Sequence, residues 1–213
     1  MIPRGVGSAL SLAFSLFQNA CAAPTLRSDQ PRAAAATAAI AAESEPRSFS
    51  GGFEHLLVTA QGLRLRVPDR PAWRVVNSGT WSLLIHDRTH SSLLLKLWSA
   101  PRLVRKEECA AMARLGRRDL ALLEEEELVE RRPFSAPAGF DAELRVGVRE
   151  AGGELHGFAQ VFGAGIGRCY VAAFETVARG PVREKEIGRR LGLFVEAVLA
   201  SVEVRNIEQR VSD

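Results

Sequence analysis

Between Phe53 and about Val204, apolar and polar positions follow first a two-residue period and then a helical one. Leu63, Leu65 and Val67 alternate with Arg64 and Arg66, which predicts a half-buried strand. Pro68 ends it, because proline has no N–H to continue a ladder. Residues 73–77 form a second short extended piece. Residues 81–86 (WSLLIH) and 93–98 (LLLKLW) are apolar runs joined by the polar DRTHSS, which predicts a hairpin. The period then changes. Over residues 105–122, Cys109, Met112, Ala113 and Leu120 share one helical face while Arg and Glu occupy the rest. Gly116 weakens this helix without breaking it. An acidic run, residues 124–127, follows, and Pro133 closes the next piece.

The clearest strand lies between residues 140 and 149. There Phe140, Ala142, Leu144, Val146 and Val148 alternate with Asp141, Glu143, Arg145 and Arg149. EAGGE (150–154) is a turn. Residues 155–162 and 169–177 form two more strands around GAGIG. In the last helix, predicted over residues 181–201, Ile187, Leu191, Phe194 and Val198 align on one face, and Pro181 suits the first turn. The order is strands, helix, strands, helix. It predicts a single α+β domain over residues 53–204, an antiparallel meander sheet with two helices packed on one face. Residues 205–213 read as a frayed tail.

The first 52 residues lack such periods. A basic start, the uncharged run VGSALSLAFSLF (6–17) and then small residues have the layout of a signal peptide over residues 1–22. The run is too short to span a bilayer, which takes about 20 residues. Two cleavage readings stand. Ala20-Cys21-Ala22 fits a small-x-small site cut before Ala23. Alternatively, the site resembles a bacterial lipobox with Cys21 as the lipidated residue, although Gln18 and Asn19 depart from the usual pattern. Residues 23–52, rich in Ala, Ser and Pro, read as a disordered tether. A tether behind a cysteine is what a lipid-anchored protein uses. The expected location is therefore the bacterial envelope, outer-membrane-anchored or periplasmic, with plain secretion as the alternative.

The element order resembles the PsbP/DcrB-like fold, which includes mycobacterial LpqN-type lipoproteins. The resemblance rests on GLRLRVPDRPAW (62–73), the central hairpins and the closing LGLFVEAVLASVEV (191–204). It implies a non-enzymatic binding or assembly module, often exported and lipid-anchored, and brings no catalytic residues with it.

Charge changes the picture little. Lys and Arg number 28 against 25 acids, a net charge of +3, with no basic stripe interleaved with aromatics, so nucleic-acid binding is not expected. GAGIG (163–167) is no dinucleotide loop, because its third glycine comes one residue early and a strand follows. The glycines read as permitting positive φ in a hairpin turn, and no cofactor is expected. His86 and His90 read as solvated turn residues rather than metal ligands. His156 with Cys169 is a base and nucleophile without an orienting third group. A periplasmic hydrolase using His156 or the His86–His90 turn is the enzymatic alternative. Cys109 and Cys169 are either two buried thiols or, in an oxidising compartment, a disulfide. Trp73, Trp81 and Trp98 read as core anchors, with an exposed recognition patch as the alternative. The expected function is an exported, lipid-anchored module that binds or scaffolds an envelope partner, with a chaperone-like peptide binder as a further alternative.

Overall fold

The computed structural model describes residues 49–100, 103–118, 120 and 122–205, apart from the side chain of Ser78. The expected signal segment with Cys21, the expected tether up to residue 48 and the expected tail from residue 206 lie outside the described residues. The chain divides into Met1–Glu43 and Ser44–Asp213, and every described residue belongs to the second unit.

Among the described residues, ten strands and two α-helices follow one another. They run β1 (Phe53–Val58), β2 (Leu63–Pro68), β3 (Trp73–Ser78), β4 (Trp81–His86), β5 (Ser91–Ser99), α1 (Lys106–Gly116), β6 (Leu128–Phe134), β7 (Asp141–Ala151), β8 (Glu154–Gly165), β9 (Arg168–Ala178), α2 (Arg183–Leu193) and β10 (Glu203–Val204). The helical run of α2 continues through single turns at Phe194–Val198 and Leu199–Ser201. Seven strands form one sheet in the order β3-β4-β5-β9-β8-β7-β6, and β1-β2-β10 form a second. All pairings are antiparallel. No described helix is long and apolar enough to cross a membrane.

The α+β class and its antiparallel sheet are those expected. The placement of the helices is not. Along β9, Tyr170, Ala172 and Phe174 join the core built with α2 residues Ile187 and Leu191 and with the turn after it. Val171 and Ala173 pack instead with Ala110 and Ala113 of α1. Successive strand residues point to opposite faces, so α1 and α2 lie on opposite faces of the large sheet. The physical reason is that β9 is apolar at both parities. A sheet with two apolar faces requires two covers, and two helices on one face would leave the other wet.

The first face carries most of the core. Leu84, Leu93, Leu95, Leu144, Val161 and Tyr170 are closed over by α2 and by Leu56, Leu63 and Leu65 of the small sheet. Phe174 and Phe194 stack with ring centroids 3.6 Å apart. Gly157 permits this approach: a Cβ there would stand 2.5 Å from Ile187 Cγ2. Gln61, in the turn after β1, ties the two sheets together. Its Nε2 donates to Thr80 O at 2.9 Å and its Oε1 accepts from Leu97 N at 3.0 Å. The domain begins before Phe53. Phe49, expected in the tether, packs on Trp73 and His86 at 6.0 and 5.0 Å between centroids. At the other end Arg205, expected in the tail, donates its N–H to Gly62 O at 2.8 Å.

Where β4, β5 and β9 meet α2, a chain of buried polar groups replaces apolar packing. His86 Nδ1 bonds Thr89 Oγ1 at 2.8 Å, Thr89 Oγ1 donates to Ser91 Oγ at 2.9 Å, and Ser91 Oγ donates to Thr176 Oγ1 at 2.9 Å. Arg190, only 3% exposed, donates to Thr176 Oγ1, to Thr89 O and to Val177 O at 3.0, 2.8 and 2.9 Å, and pairs with Glu186. Asp69 Oδ2 stands 3.4 Å from His86 Nε2 and takes a bond from Arg88. Burial pushes the His86 pKa below its usual 6.5, against the pull of Asp69.

On the second face, Cys109 of α1 and Cys169 of β9 are joined as a disulfide with Cα atoms 5.5 Å apart. α1 is shorter than its pattern predicted and ends at Gly116, and Leu120 is buried from the loop beyond it. The hairpin of β8 and β9 turns on Ile166-Gly167, where Gly167 has φ +63°. Gly163 and Gly165 were expected to serve that turn. They lie inside β8 instead, where a Cβ on either would press on the Phe140 side chain at 3.3 Å.

Three outcomes follow. Arg190→Ala costs about 3–5 kcal/mol in urea unfolding, because it strands a buried carboxylate and two carbonyls. The double change Glu186→Leu with Arg190→Met costs less than that single change. The stability that depends on a neutral His86 is fully present above about pH 6.5 and is lost as pH drops below it, because the unfolded chain takes up the His86 proton first. His86→Gln flattens that acid limb of the Tm-against-pH curve. Removing the disulfide with Cys109→Ala and Cys169→Ala opens a loop spanning 60 residues. The chain-entropy relation gives about 4 kcal/mol for such a loop, read as a fall in the urea midpoint.

Candidate functional site

α1 has eleven residues and covers only one end of the second face. The uncovered end is a groove of about 490 Å³ across four strands. Its floor is set by alternation: Leu83 and Ile85 from β4, Ser92 and Leu94 from β5, Ala173 and Glu175 from β9, Phe158 and Gln160 from β8. Arg117 and Leu120, at the end of α1, form the wall nearest the disulfide. Asp87 and His90, from the β4–β5 hairpin, stand at the opposite end.

The polar groups at the β8 side are held in an ionic lattice. His156 Nδ1 lies 3.0 Å from Glu175 Oε1 and its Nε2 lies 3.6 Å from Glu154. The imidazole stacks on Phe158 with centroids 6.2 Å apart, and the Arg149 guanidinium covers the same ring at 5.2 Å. Arg149 also pairs with Glu127. Its hydrogen bond holds the Glu127 carboxyl down at about 2. Under α1, Lys96 Nζ sits 4.7 Å from the Trp81 ring and 5.3 Å from the Trp98 ring, and burial lowers its pKa.

The residues singled out by sequence do not converge on one site. Trp73 is a core residue of the first face, and its Nε1 donates to Pro68 O at 2.8 Å. Trp81 is buried on the second face and Trp98 is half-buried beside it. The three therefore form no shared recognition patch. His86, expected to be solvated, is fully buried, whereas His90 is exposed in a left-handed conformation with φ +47°. No group of three or more metal-ligating side chains occurs among the described residues. Cys169 cannot serve His156 as a nucleophile. It is bonded to Cys109, and it pairs with Ala164, eight residues along β8 from His156, or ~27 Å at a strand's rise.

Sequence reasoning missed the groove itself. The signal was present in β8 and β9: Gln160 and Glu175 interrupt runs that are otherwise apolar at both parities. Polar residues at such positions mark where purely apolar packing stops.

No family model matches the chain, and no curated protein matches it. Among solved structures, it is similar to the Ran-binding protein Mog1p of Saccharomyces cerevisiae, with a TM-score of 0.47 and 11% identity over 75% of this chain and 98% of that one. It is also similar to a protein of Bacteroides thetaiotaomicron VPI-5482, with a TM-score of 0.41 and 10% identity over 73% of this chain. The match spans half the length of the Bacteroides protein, at 50% of that chain.

Proposed function

We propose that this chain is an exported, lipid-anchored, non-enzymatic envelope protein of the PsbP/DcrB-like type. Its domain binds an extended segment of an envelope partner in the groove of the second face. The observation that carries the binding reading is the groove: a sheet surface of mixed apolar and polar side chains that α1 stops short of covering. Leu83, Ile85 and Ala173 offer apolar contact, while Ser92, Glu175 and Arg117 offer polar groups around them. Such a mixture orients a bound chain by a few polar contacts over an apolar floor.

Export rests on the N-terminal pattern and on the cysteines. A disulfide between Cys109 and Cys169 suits an oxidising compartment. Lipid attachment at Cys21 rests on the tether that follows it. Against the hydrolase alternative, His156 is engaged by two carboxylates, and Cys169 is bonded to Cys109 far along the sheet.

Two measurements test the reading. Mass spectrometry of the membrane fraction from cells expressing the full chain finds Cys21 as a diacylated N-terminus. Cleavage before Ala23 without lipid overturns the anchor, and an uncut N-terminus in the cytosol overturns export. Short extended peptides shift NMR signals of Leu83, Ile85, Leu94 and Phe158, and Ala173→Arg removes those shifts. If no peptide perturbs these residues, the groove is not a binding surface.

A further inference from the structure

A second groove, of about 580 Å³, lies on the first face between α2 and the outer strands β6–β8. Val148, Leu155 and Leu191 line it, and Val129, 70% exposed at a bulge of β6, overhangs one side. Along the helical wall, Glu184, Gly188, Gly192 and Glu196 recur every four residues. The other charges lining the groove, Glu130 and Arg132, pair with each other. Glu184 and Glu196 have no ion pair among the described residues, so they set the sign of the groove.

The two glycines have no explanation inside the domain. Glycine in a helix interior costs stability relative to alanine. At both positions the backbone is helical, and a Cβ would meet no atom within 4 Å. Gly157, by contrast, is required by contact with Ile187. What Gly188 and Gly192 provide is a smooth trough on the outer surface of α2, into which another backbone can settle closely. The opposite wall disfavours an added strand: β6 is bulged, contains Pro133 and carries Glu130, Arg131 and Arg132.

We infer that this groove docks a cationic amphipathic helix of a partner protein, separately from the groove on the second face. Small residues four apart permit close helix–helix approach. An apolar helix face laid in such a groove is an established mode of peptide recognition. Glu184 and Glu196 are twelve residues apart, or about 18 Å along the helix. They therefore select a partner with Lys or Arg at both ends of its apolar stripe, eleven or twelve residues apart.

The test uses the full chain and two fluorescein-labelled synthetic helices of about 18 residues. Both carry the same Ala/Leu face, one flanked by Lys and the other by Glu. Fluorescence anisotropy is expected to show the Lys peptide binding at least about tenfold more tightly than the Glu peptide. Glu184→Lys with Glu196→Lys reverses that preference. Gly188→Ala with Gly192→Ala raises the thermal midpoint of the free protein yet weakens the Lys peptide by about tenfold. Ala173→Arg, in the other groove, leaves binding unchanged. The inference is overturned if the chain binds neither peptide or both alike. It is equally overturned if charge reversal leaves the preference unmoved, if the alanine variant binds as well as the parent, or if Ala173→Arg abolishes binding.

Discussion

β9 buries side chains on both of its faces, and the remaining architecture answers that constraint. Cys169, Tyr170, Val171 and Ala172 are all but sealed from water, at 0–1% exposure, although successive residues point in opposite directions. Its neighbour β8 is buried without a break from Gly157 to Ala164. A central pair of strands of this kind is stable only inside a three-layer arrangement. One outer layer is α2 with the small β1-β2-β10 sheet. The other is α1, attached through the disulfide to β9 itself.

The two layers are fixed by different chemistry. α2 is held at one end by a buried cation, Arg190, which reaches across to carbonyls at the ends of β9 and the β4–β5 hairpin. Directional bonds of this sort set where the helix lies along the sheet, while Phe194 on Phe174 and Ile187 over Gly157 set how closely it approaches. α1 has a small apolar face of Cys109, Ala110 and Ala113, too slight to cover the sheet alone. A covalent link in place of a large interface leaves part of that face open, and the opening is the groove.

Strands and helices were largely legible from the chain. Residues 140–149 alternate so regularly that most of β7 could be drawn directly, although the strand runs on to Ala151 into the expected turn, and the helical face formed by Ile187, Leu191, Phe194 and Val198 is buried as its spacing requires. Elements whose existence depends on a remote partner were not legible. β10 is two residues long and is a strand only because β2 lies alongside. Phe49 sits in a polar stretch with no period of its own, yet Trp73, His86 and Phe194 surround it. The same limit hid the candidate sites. Nothing in the local pattern singles out Glu184 and Glu196 until β6 is placed across the groove from them, or Arg117 until the end of α1 is known.

By itself, the sequence determined the α+β class and the order of both helices and most of the strands between them, because periodicity and composition are local properties. Tertiary structure alone decided which strands meet. β5 pairs with β9 from Ser91–Thr176 to Ser99–Arg168, across a separation that no local period encodes. That pairing also decided that the two helices take opposite faces, that Cys109 meets Cys169, and that His86 is a buried structural residue rather than a solvated turn residue. Each of these depends on which surfaces oppose each other once both apolar faces of the central strands have been removed from water, and that is a property of the assembled layers rather than of any one segment.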